Sequence, residues 1–143
     1  MTQLSEHFSI EEMTFSDTGQ RLGLDNTCAG TVLVNLSHTA AKMEEVRTLF
    51  NLPIRVTSGY RSPRVNSAVG GSKSSDHMSG LACDFQIHGI TNYDVACKIR
   101  DSAIDYGQLI LEYGWVHIGI GSHNRMELTK HSAASPYQPG IIA

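Results

Sequence analysis

The chain has 143 residues, 41% of them hydrophobic and 17% charged, with a net charge of −3. That composition fits one soluble globular domain, long enough to bury a core without disulfides. It excludes the basic footprint of a nucleic-acid binder, and no apolar run approaches the ~18 residues of a membrane span. The three cysteines cannot all pair, and none stands in a C-x-x-C, so reduced thiols from a reducing compartment are expected. The first residues, MTQLSEHFSIEEMTF, hold no basic segment followed by an apolar one. Synthesis in the cytoplasm without a secretory signal is therefore expected.

In chain order, Ser9 followed three residues later by Glu12 fits a capping box and predicts a short helix. Ser16-Asp17-Thr18-Gly19 is expected to break it. From Thr31 to Phe50, residues Val32, Leu36, Ala40, Met43, Val46 and Phe50 recur at three- and four-residue intervals. This predicts one long helix with an apolar stripe, on which Met43 reads as core. Pro53 stops the helix, and 54–57 alternates as a short strand. A polar, glycine-rich loop follows over 58–79. Within it Pro63 opens a helical turn to about Ala68, and Gly70-Gly71 frees the backbone.

The strand predicted over 81–87 divides its faces. Leu81, Cys83, Phe85 and Ile87 point one way; Ala82, Asp84 and Gln86 point the other. Thr91 caps a second helix to about Ser102, with Val95, Ile99 and Ala103 inward. Gln108–Glu112 and Trp115–Gly121 read as strands joined by Tyr113-Gly114. A tight turn there sets Glu112 opposite Trp115 and Ile110 opposite His117. Gln108, Ile110, Glu112, Trp115, His117 and Gly119 then share one face, while Leu109, Leu111, Val116, Ile118 and Ile120 are expected to fill the core. The polar tail over 122–143, with Pro136 and Pro139, is expected to wrap the surface of a single domain, 1–143, whose core spans about 4–121.

Two histidines and a carboxylate from separate segments, His77, Asp84 and His117, are what a catalytic zinc site needs: three protein ligands and a position left for water. Each has a bland alternative. His77 alone would be a solvated loop histidine, and H-x6-D is a weak spacing. Asp84, a charge inside a strand of apolar and small residues, needs a partner, and His117 in WVHIGIG carries the same burden. Zinc lowers the pKa of bound water to about 7, so a neighbouring carboxylate can act as base. Glu112, diagonal to His117, is the candidate base, with Asp76 its rival. Arg61 is the candidate for stabilising a developing oxyanion or holding a peptide carboxylate. Ser75, Tyr60 and Trp115 are candidate substrate contacts. His7, His38, His88, His123 and His131 lack partners at ligand spacing and read as surface residues.

The combined pattern S-G-Y-R-S…N…G-G…S-x-H-x-x-G-x-A-x-D, followed by Q-L-I-x-E…W-V-H, resembles the zinc D-Ala-D-Ala carboxypeptidases and phage endolysin peptidases. These share the LAS fold of lysostaphin and sonic hedgehog. The resemblance covers about Leu4 to Ile120. It implies an α+β fold, a small antiparallel sheet flanked by helices, with zinc held by His77, Asp84 and His117. It also implies cleavage at D-amino acids in bacterial peptidoglycan stem peptides, with the arginine at Arg61 polarising the carbonyl. One departure stands out. Several relatives carry the base three residues before the last ligand, where this chain has Gly114, and the nearest Glu is Glu112. A monomeric enzyme is expected, released to the cell wall by a holin or carried in a phage particle, with no nucleic-acid or membrane partner. The alternative is a non-catalytic, zinc-containing virion structural or cell-wall-binding protein of the same fold. A purely structural zinc usually takes four protein ligands, which favours the enzyme.

Overall fold

The computed structural model describes residues 2–143. In order it holds α1 (Ile10–Thr14), α2 (Asp17–Leu22), α3 (Gly30–Phe50), β1 (Arg55–Ser58), α4 (Pro63–Ala68), a 3-10 turn (Asp76–Ser79), β2 (Ala82–Gln86), α5 (Asn92–Arg100), β3 (Gln108–Leu111), β4 (Val116–Gly119), β5 (Met126–Thr129) and β6 (Gln138–Pro139). The fold is α+β. Among the described residues no helix is long and apolar enough to cross a membrane.

The helix starts follow their caps. The Ser9 hydroxyl accepts from the Glu12 N–H at 3.1 Å, and the Thr91 hydroxyl from Asp94 N–H at 3.1 Å. These satisfy backbone donors that a first turn leaves orphaned. Ser16 ends α1, as expected, but then caps a helix that the sequence reading did not include: its hydroxyl accepts from Gly19 N–H at 3.0 Å. This helix, α2, closes on Gly23 at φ 67°, a left-handed cap that suits glycine. Helix α5 stops at Arg100, so Ala103 is exposed and Ala96 lies inward with Val95 and Ile99.

The sheet order is β1-β2-β4-β3-β5-β6. The expected antiparallel arrangement holds except at one pair, since β5 runs parallel to β3, Gln108 facing Met126 and Leu111 facing Thr129. Strand β4 ends beside Gln108, where β5 begins. Residues 120–125 therefore only pass round that end of β3, and no long crossover is needed. The segment read as a surface-wrapping tail thus supplies two strands. Pro139, without an N–H to donate, lies in the edge strand β6, where a proline is tolerated.

One face of the sheet is the core. Cys83, Phe85, Leu109, Leu111, Val116 and Ile118 cluster there with Leu36, Met43, Val46 and Phe50 of α3 and Val95 and Ile99 of α5. Each large side chain so buried contributes roughly 1.5–3 kcal/mol, an upper bound relative to an extended chain. Cys28, Cys83 and Cys97 are all free thiols. Cys83 is fully buried, and that burial pushes its pKa well up, as expected of an inert core thiol. The opposite face of β2, β4 and β3 is left open, and it carries the polar residues of the site.

Candidate metal centre

Register places the site. Across three adjacent strands, Asp84 of β2 is paired with His117 of β4, and His117 with Ile110 of β3. On the other side Ser58 of β1 faces Asp84, after an irregularity between Val56 and Ser58 that turns the chain toward the open face. His77 comes from the 3-10 turn, which α3 supports from behind. The buried Thr39 hydroxyl donates to the Gly80 carbonyl at 2.7 Å, and the Asn35 amide to the Ser79 carbonyl at 3.0 Å. The Ser75 hydroxyl caps the same turn, accepting from His77 N–H at 3.2 Å.

The three side chains meet at the Asp84 carboxylate. Its Oδ1 lies 3.2 Å from His77 Nε2 and 2.8 Å from His117 Nδ1. Burial alone would push the Asp84 carboxyl up. The charge of His77 and hydrogen bonds from His117 and His77 outweigh that, and hold it well below the usual carboxylate range.

The residues fit a metal. One donor atom from each of His77, Asp84 and His117 lies within 4.8 Å of the other two. His77 Nδ1 lies 2.6 Å from the Gly59 carbonyl, and His117 Nε2 lies 3.0 Å from Gln108 Oε1. A bound metal would take the place of the protons these rings otherwise direct at Asp84: with the outer nitrogen of each ring still donating to its oxygen, His77 Nε2 and His117 Nδ1 would each turn a lone pair to it. Such outer bonds are how proteins fix the tautomer of a ligating imidazole.

Gly59 is under a second constraint. A Cβ on it would lie 2.1 Å from the Met13 carbonyl oxygen, which accepts the Tyr60 N–H at 2.8 Å. Gly59→Ala is expected to destabilise the fold by about 2 kcal/mol through this overpacking. It should also weaken metal binding by moving the carbonyl that orients His77. Urea unfolding checks the first effect, and a wild-type midpoint would contradict it.

The centre opens into a cleft of about 560 Å³, lined among others by Arg61, Ser75, Asp76, Glu112, Trp115 and Tyr137. Arg61 donates through Nε to Ser58 Oγ at 3.0 Å, through Nη1 to Asn66 Oδ1 at 3.1 Å and through Nη2 to Asp84 Oδ2 at 3.3 Å. A guanidinium has five N–H donors, so two remain for a ligand. Glu112 lies just past β3 at the far end of the hairpin, its N–H bonded to the Trp115 carbonyl at 3.0 Å, so the two-residue Tyr113-Gly114 turn closes as the sequence implied. Desolvation raises the Glu112 carboxyl above its ordinary value, while a hydrogen bond from Tyr137 pulls the other way. Trp115 stacks edge-on against Tyr113 with ring centroids 4.7 Å apart.

Asp76 sits at the other end of the hairpin. A Cβ on Gly121 would lie 2.8 Å from its Oδ2. His123 Nε2 comes within 3.3 Å of the same oxygen, an ion-pair distance without hydrogen-bond geometry, so that buried oxygen has no hydrogen-bond partner among the described residues. His123, an exposed residue just after the hairpin, lines the cleft at this end.

Residues 6–119 match the protein family described as Peptidase M15. The chain belongs to the peptidase M15 family. The matched span contains Arg61, His77, Asp84, Glu112 and His117, and it makes the protein a peptidase of the M15 type. A search of curated proteins finds no match. The M15 span ends at the close of β4, so β5, β6 and Tyr137 lie beyond it.

Of the residues singled out in the sequence, the structure brings His77, Asp84, His117, Arg61, Glu112, Ser75 and Trp115 to one cleft. It does not bring Tyr60 there. Tyr60 is 8% exposed and packs in the hydrophobic core, because Gly59 is held close to α1 and turns the next side chain inward. Gln108, Asn66, Lys130 and Tyr137 were not singled out as site residues. Gln108 was legible as a same-face neighbour of His117. Nothing local marks Tyr137, which reaches Glu112 from 25 residues away.

Proposed function

We propose that this M15 peptidase is a zinc enzyme that hydrolyses peptide bonds in the stem peptides of bacterial peptidoglycan, as an endopeptidase or a D-alanyl-D-alanine carboxypeptidase. The observation that carries the reading is the donor set itself. Three inward-facing ligand atoms sit on the floor of an open cleft that also holds a half-buried carboxylate and a guanidinium with donors to spare.

His77 through Nε2, Asp84 through Oδ1 and His117 through Nδ1 would hold the zinc. When bound, zinc supplies a Lewis acid that acidifies water and polarises a carbonyl. The chain's own groups do the rest. Glu112, its basicity raised by desolvation, takes the proton from the attacking water and passes it to the leaving amine. Arg61, fixed by three hydrogen bonds, offers its two remaining N–H groups to the carbonyl oxygen as charge develops there. Ser75 and Trp115, on the cleft walls, contact the peptide on either side. Three ligands rather than four favour this over a purely structural zinc.

The protein would act as a monomer on the cell wall, after holin-type release or within a phage particle. The test is incubation of zinc-loaded protein with purified peptidoglycan and mass spectrometry of the muropeptides. Fragments with a newly exposed amine, or loss of a terminal residue, are expected. Unchanged muropeptides would point to the non-catalytic wall-binding alternative.

A further inference from the structure

Tyr137 is an anomaly on its face. It is 49% exposed, so core packing does not explain it. Yet its hydroxyl donates to Glu112 Oε1 at 2.9 Å, and its ring lies beneath the Lys130 ammonium, 4.7 Å from the centroid. The sheet fixes this approach. Thr129 is registered beside Leu111, and Lys130 N–H donates to the Leu111 carbonyl at 2.9 Å. Strand β6 then returns antiparallel, Gln138 facing Thr129. Tyr137 thus stands just before β6 and at the Glu112 end of β3. Residues 126–139, outside the span shared with the M15 family, bring Tyr137 and Lys130 to the Glu112 end of the cleft.

We propose that Tyr137 is a positioning residue that holds the Glu112 carboxylate in its working orientation, so that the β5–β6 segment completes the active site. The inference rests on the reading of Glu112 as base. A carboxylate at the end of a strand can rotate freely; a hydrogen bond from a phenol confines it and favours its charged form. Tyr137 stays protonated and able to donate, since burial and the neighbouring Glu112 both push its pKa up. The other charged or titratable groups acting on Glu112 are Asp84 of β2, His117 of β4 and Lys130 after β5. Of these, Asp84 opposes the charged form while His117 and Lys130 favour it. Removing the phenol hydroxyl leaves all three in place, so the Glu112 carboxyl titrates at higher pH.

Tyr137→Phe keeps the ring and its contact with Lys130, so the fold and metal content should be unchanged. Two measurements test the proposal on the full chain. In carbon-13 NMR of glutamate-labelled protein, the Glu112 titration midpoint is expected to rise in Tyr137→Phe; an unmoved midpoint would overturn the contact. In turnover of muropeptides released from purified peptidoglycan, kcat is expected to fall about tenfold with KM within about twofold, the worth of one hydrogen bond to a charged group. The acid limb of kcat/KM should move to higher pH. In the Glu112→Gln background the same change should cost nothing further. An additive loss, or an effect on KM alone, would overturn the positioning role. If Glu112→Gln alone retains activity, the base assignment falls instead, and the NMR result still reads the contact separately.

Discussion

Glu112→Gln is expected to lower peptide hydrolysis at least about a hundredfold, the scale of general acid–base catalysis, while metal content and unfolding midpoint stay at wild-type values. The carboxylate lines the cleft at the Leu111 end of the hairpin, past the point where His117 faces Ile110. Gln keeps the shape and can still accept the Tyr137 hydrogen bond, but it cannot take a proton. Partial desolvation places the Glu112 carboxyl above its ordinary value, so activity should fall as pH drops through that raised pKa and Glu112 becomes protonated. Retained turnover in the variant would shift the role to Asp76 at the opposite end of the hairpin, whose buried Oδ2 has no hydrogen-bond partner among the described residues.

Arg61→Lys should be comparably damaging, lowering kcat by about 10²–10³, as the loss of a preorganised oxyanion donor does. The guanidinium spends three N–H groups on Ser58, Asn66 and Asp84 and still has two left. A lysine keeps the positive charge near the buried Asp84 carboxylate, but its three donors cannot reproduce that fork and serve a substrate as well. Single-turnover kinetics on muropeptides separate chemistry from binding. A variant with unchanged kcat and a raised KM would assign Arg61 to holding a substrate carboxylate instead.

The parts of the site that could be read in advance are those governed by short-range periodicity. Alternation along 81–87 placed Asp84 opposite Cys83 and Phe85, and the two-residue turn at Tyr113-Gly114 fixed Ile110 against His117. A period of two leaves little freedom once one face must be buried. What escaped depends on distant segments. Tyr60 reads as a candidate substrate contact, but the close approach of Gly59 to the Met13 carbonyl, set by α1, turns it into the core. The parallel pairing of β5 with β3 arises from how residues 120–125 turn round the end of a neighbouring strand, which no local pattern records. Tyr137 follows from that pairing, so it was equally hidden. Ser16 is a different kind of miss. The same residue that ends α1 caps α2, and a break in periodicity does not distinguish a stop from a restart.

The claim beneath all of these is that His77, Asp84 and His117 form one metal site. Its most direct measurement is calorimetric titration of zinc into metal-stripped protein, wild type beside Asp84→Asn. One zinc per chain is expected for the wild type, with affinity lowered at least about a hundredfold in the variant, because the amide brings no charge and the ligand set is reduced to two imidazoles. Absence of binding to the wild type, or equal binding to both proteins, would contradict the site.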